Sequence, residues 1–192
     1  VILVDRGEEI TASKIAAGLM TPVAGRRLVS TPRYAEFHRQ SVDFYRRIER
    51  EMHCRLLIEK PAIRQFLNDD ERTIFEQKLR PCGGQFVPLN DGMGCVTGFA
   101  MRDAARLYVS QFLEQTRLYF ASIGQYHRTE LNLDADIVIH EGGATVARLG
   151  IHDSEIVFCQ GYQQIRNPWY PTIPDSPAKG EILRIKLPDY HE

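Results

Sequence analysis

The chain has 192 residues, 43% hydrophobic and 26% charged, with a formal net charge of -1. That balance is ordinary for a soluble globular protein and gives no electrostatic reason to bind nucleic acid or an anionic membrane. No apolar run approaches the ~20 residues needed to span a bilayer. The four cysteines, Cys54, Cys82, Cys95 and Cys159, form no C-x-x-C and no zinc spacing with histidine. They predict free thiols in a reducing cytosol, and hence a cytoplasmic location.

Taken in chain order, Val1–Val4 is an apolar run that ends on Asp5 and suits a buried parallel strand. Residues 8–20 begin an irregular helix rich in Ala and Gly, which Pro22 and Gly25 end. Thr31-Pro32 starts a second helix, with a capping hydroxyl followed by proline at the first helical position. Tyr34, Phe37, Ser41, Phe44, Tyr45, Ile48 and Met52 form its inner face, and the arginine-rich opposite face is a solvated one. Residues 55–59 and 62–67 read as strands around Pro61, followed by a short helix from Asn68 to about Leu79. Residues 85–89 and 95–99 read as a hairpin turning at Asn90-Asp91-Gly92.

A long helix is predicted from Arg102 to Ser122, with Gly124 stopping it. Ala105, Tyr108, Val109, Phe112, Thr116, Tyr119 and Ile123 make its apolar stripe. Residues 136–141, 144–149 and 155–159 read as a three-stranded meander. Pro168, Pro171, Pro174 and Pro177 then recur every three residues, as in an extended polyproline-like connector, before a last strand at 180–187. Parallel-type and hairpin-type strands in one chain predict a mixed α/β fold, an α/β layer system carrying an antiparallel insertion.

Three stretches bear on chemistry. An acidic residue at the carboxyl end of the second strand of a nucleotide-binding βαβ unit accepts hydrogen bonds from ribose hydroxyls. Asp5 suits that role, and it also suits an Asp that caps a turn. Small residues at Ala12–Met20 allow close approach of a planar or anionic ligand, with Ser13 toward a pyrophosphate; close helix–strand packing needs the same residues. Gly161, after the apolar run Ile156–Phe158, permits a ligand at a sheet edge, and also reads as a plain strand-end glycine. The six histidines are scattered, and no nucleophile–His–acid order stands out.

Together, Val1-Ile-Leu-Val-Asp-Arg-Gly7, then A-S-x-x-A-A-G-L-x-x-P (12–22), then Val157–Gly161 and the Trp169–Pro174 and Pro177–Leu183 motifs resemble the FAD-dependent oxidoreductases of the D-amino acid oxidase and glycine oxidase family. The resemblance implies a partial FAD-binding layered domain at 1–54 and 101–170. It implies an antiparallel substrate-domain portion at 55–100 and 171–192. It implies FAD as cofactor and hydride transfer to the flavin from a C–N bond of an amine or amino acid substrate. Asp5 would bind the FAD ribose, with Arg6 flanking the adenosine. Ser13 would face the pyrophosphate. Ala17, Gly18 and Leu19 would lie beside the flavin ring. Ile137 and Val138 would meet adenine, and Gly161 would lie near the pyrophosphate.

The family's glycine-rich loop would precede Val1, and further substrate and flavin contacts would follow Glu192. The resemblance therefore implies an internal fragment of a longer enzyme, one expected to bind FAD weakly or not at all. Two other readings stay open. One is a non-catalytic interaction module that docks through the helix after Pro32 or the proline-rich segment. The other is a nicotinamide-dependent dehydrogenase, which shares the logic of Asp5 and explains Ala12–Met20 less well.

Overall fold

The computed structural model describes residues 1–153, 155–170 and Gly180, and shows a mixed α/β chain with several small sheets. In chain order the first elements are β1 (Leu3–Asp5), α1 (Ala12–Ile15), β2 (Leu19–Met20), β3 (Val23–Ala24), β4 (Val29–Ser30) and α2 (Tyr34–Met52). Then come β5 (Leu57–Glu59), β6 (Ala62–Gln65), α3 (Asp69–Ile74), β7 (Phe86–Asn90), β8 (Val96–Met101) and β9 (Ala105–Leu107). The last are α4 (Val109–Ser122), β10 (Tyr126–Arg128), α5 (Leu133–Asp136), β11 (Val138–His140), β12 (Gly143–Val146) and β13 (Ile151–Asp153). Two compact units result: Ala16–Thr116, and Val1–Ile15 with Arg117–Glu192.

In Ala16–Thr116, two antiparallel sheets each carry a core. β8 lies between β6 and β7, and this sheet packs Phe99 against Phe75, their rings stacked with centroids 4.7 Å apart. Val23, Leu28, Leu79, Phe86 and Met101 close that core. Gly98 is required in β8, because a Cβ there would run into the backbone of Arg64 on β6. Asn68 caps α3 by accepting the Glu71 N–H at 3.0 Å. Phe75–Leu79 continues α3 as a π-helical turn, which brings both its ends, Phe75 and Leu79, into the core.

The second sheet, ordered β2-β9-β5, buries Leu56, Leu57, Ala105 and Leu107 under Val42, Tyr45 and Ile48 of α2 and Phe112 of α4. The inner face of α2 therefore differs from the predicted one. Phe37 and Phe44 are exposed, each with an arginine over its ring, Arg33 and Arg47. The predicted helix from Arg102 is also corrected, since its first turn is the strand β9. Ala105 and Leu107 point inward and Arg106 outward, a period of two, and pairing with both β2 and β5 overrides helix propensity.

One half-buried and one buried carboxylate tie this unit together. Glu49 accepts the Leu56 and Leu57 N–H groups at 2.6 and 2.8 Å and pairs with Arg46 at 2.7 Å. Burial pushes its carboxyl up, but these donors outweigh burial and hold it below the usual carboxylate range. Glu71, 3% exposed, takes Arg64 Nε at 2.9 Å and the Leu67 N–H at 2.9 Å.

In the other unit, β1 runs parallel to β10, with Leu3 beside Tyr126 and Asp5 beside Arg128. Gly124 ends α4 in the left-handed region (φ 69°), and the Gln125 N–H reaches back to the Phe120 carbonyl at 2.8 Å, a Schellman closure. β11, β12 and β13 form an antiparallel meander that buries Ala144 and Val146. Its third strand is Ile151–Asp153 rather than the predicted 155–159. Residues 155–160 have no regular structure, and Gly161–Arg166 is a 3-10 helix. The apolar run there serves side-chain packing instead, Phe158 stacking on Trp169 at 5.3 Å. Pro171, Pro174, Pro177 and the predicted strand beyond Gly180 lie outside the described residues.

Candidate functional site

Asp5 sits at the carboxyl end of β1, exposed, where the parallel ladder stops. Its Oδ1 accepts the Gly7 N–H at 3.1 Å, and its Oδ2 faces the Tyr126 hydroxyl at 3.3 Å. Gly7 turns the chain with φ 75°, and a Cβ there would strike the Arg128 guanidinium. The turn after β1 therefore needs glycine for its conformation, while the flexible Arg128 end could shift to make space. The carboxylate keeps part of its acceptor capacity, since two oxygens offer about four lone-pair directions.

The other predicted residues of this unit distribute around that strand end. Arg6 pairs with Glu8 and lies 3.7 Å from Glu130, so its charge is largely matched within the protein. The Glu130 carbonyl accepts from Arg148 at 2.7 Å, and Arg148 also reaches Asp136 at 3.2 Å. Asn132 caps α5 by accepting the Asp134 and Ala135 N–H groups, and the chain then enters β11 through buried Ile137. Arg6, Glu130 and Arg148 thus connect the end of β1 to the segment carrying Ile137 and Val138. An open cleft of about 420 Å³ lies between Glu130, Asn132, Asp136 and Arg148. Val138 is exposed and pairs with Thr145. Ser13 lies in the four-residue α1, exposed. Gly161 has φ 56°, opens the 3-10 helix, and has none of the described residues within 4 Å of where a Cβ would be.

Ala17, Gly18 and Leu19 belong to Ala16–Thr116. Gly18 has φ 71°, and a Cβ would collide with the Leu107 carbonyl, so it is fixed by packing against β9. The Leu107 N–H in turn donates to the Gly18 carbonyl at 2.9 Å. Ala17 and Leu19 remain exposed and apolar, a surface suited to a flat ring.

A larger cleft of about 450 Å³ in the same unit is lined by Leu28, Ser30, Tyr34, Lys78, Cys82 and Phe86, none of them among the predicted site residues. Tyr34 donates to the Asp103 carbonyl at 2.5 Å. Burial first, and then the Asp103 charge, push its phenol up to about 12, so it stays protonated and structural. Among the described residues no group of three or more His, Cys, Asp or Glu is arranged to hold a metal ion. Among them, too, no helix is long and apolar enough to cross a membrane. All four cysteines are free thiols.

Sequence reasoning missed Tyr126, Glu130 and Arg148. Tyr126 begins a three-residue strand too short for any periodicity, and its role depends on pairing with a strand more than a hundred positions earlier. No family model matches the chain, and no solved structure matches it.

Proposed function

We propose that this chain carries part of an FAD site of an oxidoreductase that acts on the C–N bond of an amine or amino acid. The observation that carries the reading is Asp5. It is an exposed carboxylate at the carboxyl end of a parallel strand, followed by a glycine turn and left with free acceptor capacity. That is where a nucleotide ribose is held in open α/β sheets. The residues present in the unit of Val1–Ile15 and Arg117–Glu192 suit the nucleotide half of the cofactor: Asp5 as diol acceptor, and Gly161, where no described residue lies within 4 Å of a Cβ position. Ser13 adds a hydroxyl for a phosphate oxygen. Bound flavin supplies the chemistry, accepting hydride from the substrate; the residues here bind and orient.

The test is calorimetric titration of the chain with FAD, wild type against Asp5→Ala. Losing charge-assisted hydrogen bonds should weaken binding about tenfold. Equal affinity in the two proteins would overturn the reading. A second reading, a non-catalytic docking module, draws on exposed Phe37 and Phe44 on α2. Flavin-dependent oxygen consumption with amines would decide against it.

A further inference from the structure

We propose that Tyr126 is a positioning residue for the Asp5 carboxylate, holding it ready for the cis-diol of a nucleotide ribose. This rests on the FAD reading of Asp5 and adds a residue and a selectivity to it. The parallel register sets Leu3 beside Tyr126 and Asp5 beside Arg128, so all four side chains share one face of the β1–β10 pair. Two residues along a strand span roughly 6.6 Å, about the reach of a tyrosine side chain. The Tyr126 hydroxyl consequently arrives at Asp5 Oδ2, 3.3 Å away, while the Gly7 N–H occupies Oδ1 at 3.1 Å. Each oxygen then has one internal donor and one direction left open. A vicinal diol brings two donors, one for each.

The phenol is itself anchored. The Arg117 guanidinium of α4 lies over its ring, 5.9 Å from the centroid. Burial first, then the Asp5 charge and hydrogen bond, raise the Tyr126 pKa, so the hydroxyl stays a donor at neutral pH. Arg128 stands on the same face with its guanidinium 3.5 Å from the Gly7 carbonyl, and Arg6 pairs with Glu8 and Glu130. Asp5 therefore accepts from two neutral donors, an arrangement that suits the two hydroxyls of a free diol.

The experiment is titration with ADP and with 2′-deoxy-ADP of wild type, Asp5→Asn, Tyr126→Phe and the double variant. Phenylalanine keeps the ring and removes only the hydroxyl. The wild type should prefer ADP, and Asp5→Asn should abolish the preference. The hydrogen bond is long, so Tyr126→Phe should shrink the preference only roughly three- to tenfold. The double variant should match Asp5→Asn. If Tyr126→Phe keeps the full preference while Asp5→Asn loses it, the proposal falls and the reading of Asp5 stands. If wild type shows no preference and Asp5→Asn changes nothing, both fall. A ligand-free check uses ultraviolet titration of the tyrosines. Asp5→Asn should lower the pKa of one phenol, and an unchanged titration would overturn the contact.

Discussion

Within Ala16–Thr116, Phe75, Phe99, Leu56 and Leu57 expose no surface, and the Glu49 and Glu71 carboxylates are matched by charge and hydrogen bonds. In the unit formed by Val1–Ile15 and Arg117–Glu192, burial among the described residues comes down to Ile137, Ala144, Val146 and Asn167. Val1, Ile2, Val138, Ile139 and Val157 are exposed there. One unit is organised by side-chain packing, the other by backbone pairing, caps and surface ion pairs around Asp5. A two-stranded pair such as β1–β10 is marginal by itself, whereas three strands with a hydrophobic face are not. The candidate nucleotide residue therefore sits where packing constrains least, whereas Gly18 in Ala16–Thr116 is fixed against the Leu107 carbonyl.

Substitutions at four positions test this contrast. Phe99→Ala empties the stacked core and should cost about 4 kcal/mol, read from denaturant unfolding. A loss near 1 kcal/mol would break the contrast. Glu71→Ala strands half-buried Arg64 and the Leu67 N–H and should cost about 3 kcal/mol, with Glu71→Gln costing less. Glu49→Gln weakens the acceptor of two strand N–H groups and should cost about 2 kcal/mol at neutral pH. The folded pKa of Glu49 is depressed, so its contribution is present above the unfolded carboxylate value, about 4.3, and fades as pH falls through the lower folded value. The wild-type advantage over Glu49→Gln should thus shrink in acid, and growth of the advantage there would refute the assignment. Asp5→Ala should leave stability within about 0.5 kcal/mol while lowering FAD affinity. A large stability loss would make Asp5 a structural cap instead.

Legibility followed how local each signal was. Asn68 and the acidic turn after it marked α3, Gly124 marked the end of α4, and Asn90-Asp91-Gly92 marked the β7–β8 hairpin, because each is decided by a few adjacent residues. Strand β9 was hidden because Ala105 and Leu107 fit a helical stripe equally well until β2 and β5 flank them. The apolar run at 156–158 looked like a strand, but it has no regular structure and its Phe158 stacks on Trp169. Tyr45 and Ile48 of the predicted inner face of α2 do pack on the core, but Phe37 and Phe44 are exposed and the unpredicted Val42 packs as well. The residues singled out around Asp5 were visible as residue types; the partners that orient it, Gly7 aside, were not, since Tyr126 meets it only through the tertiary pairing.

That pairing also has a consequence during synthesis. Asp5 and Tyr126 are 121 residues apart in the chain. At ribosomal rates of about 5–20 residues per second, β1 waits roughly 6 to 24 seconds before its partner strand exists. The residues of Ala16–Thr116 are all made within that interval and can pack on one another. An apolar strand kept unpaired that long is a natural client for chaperones.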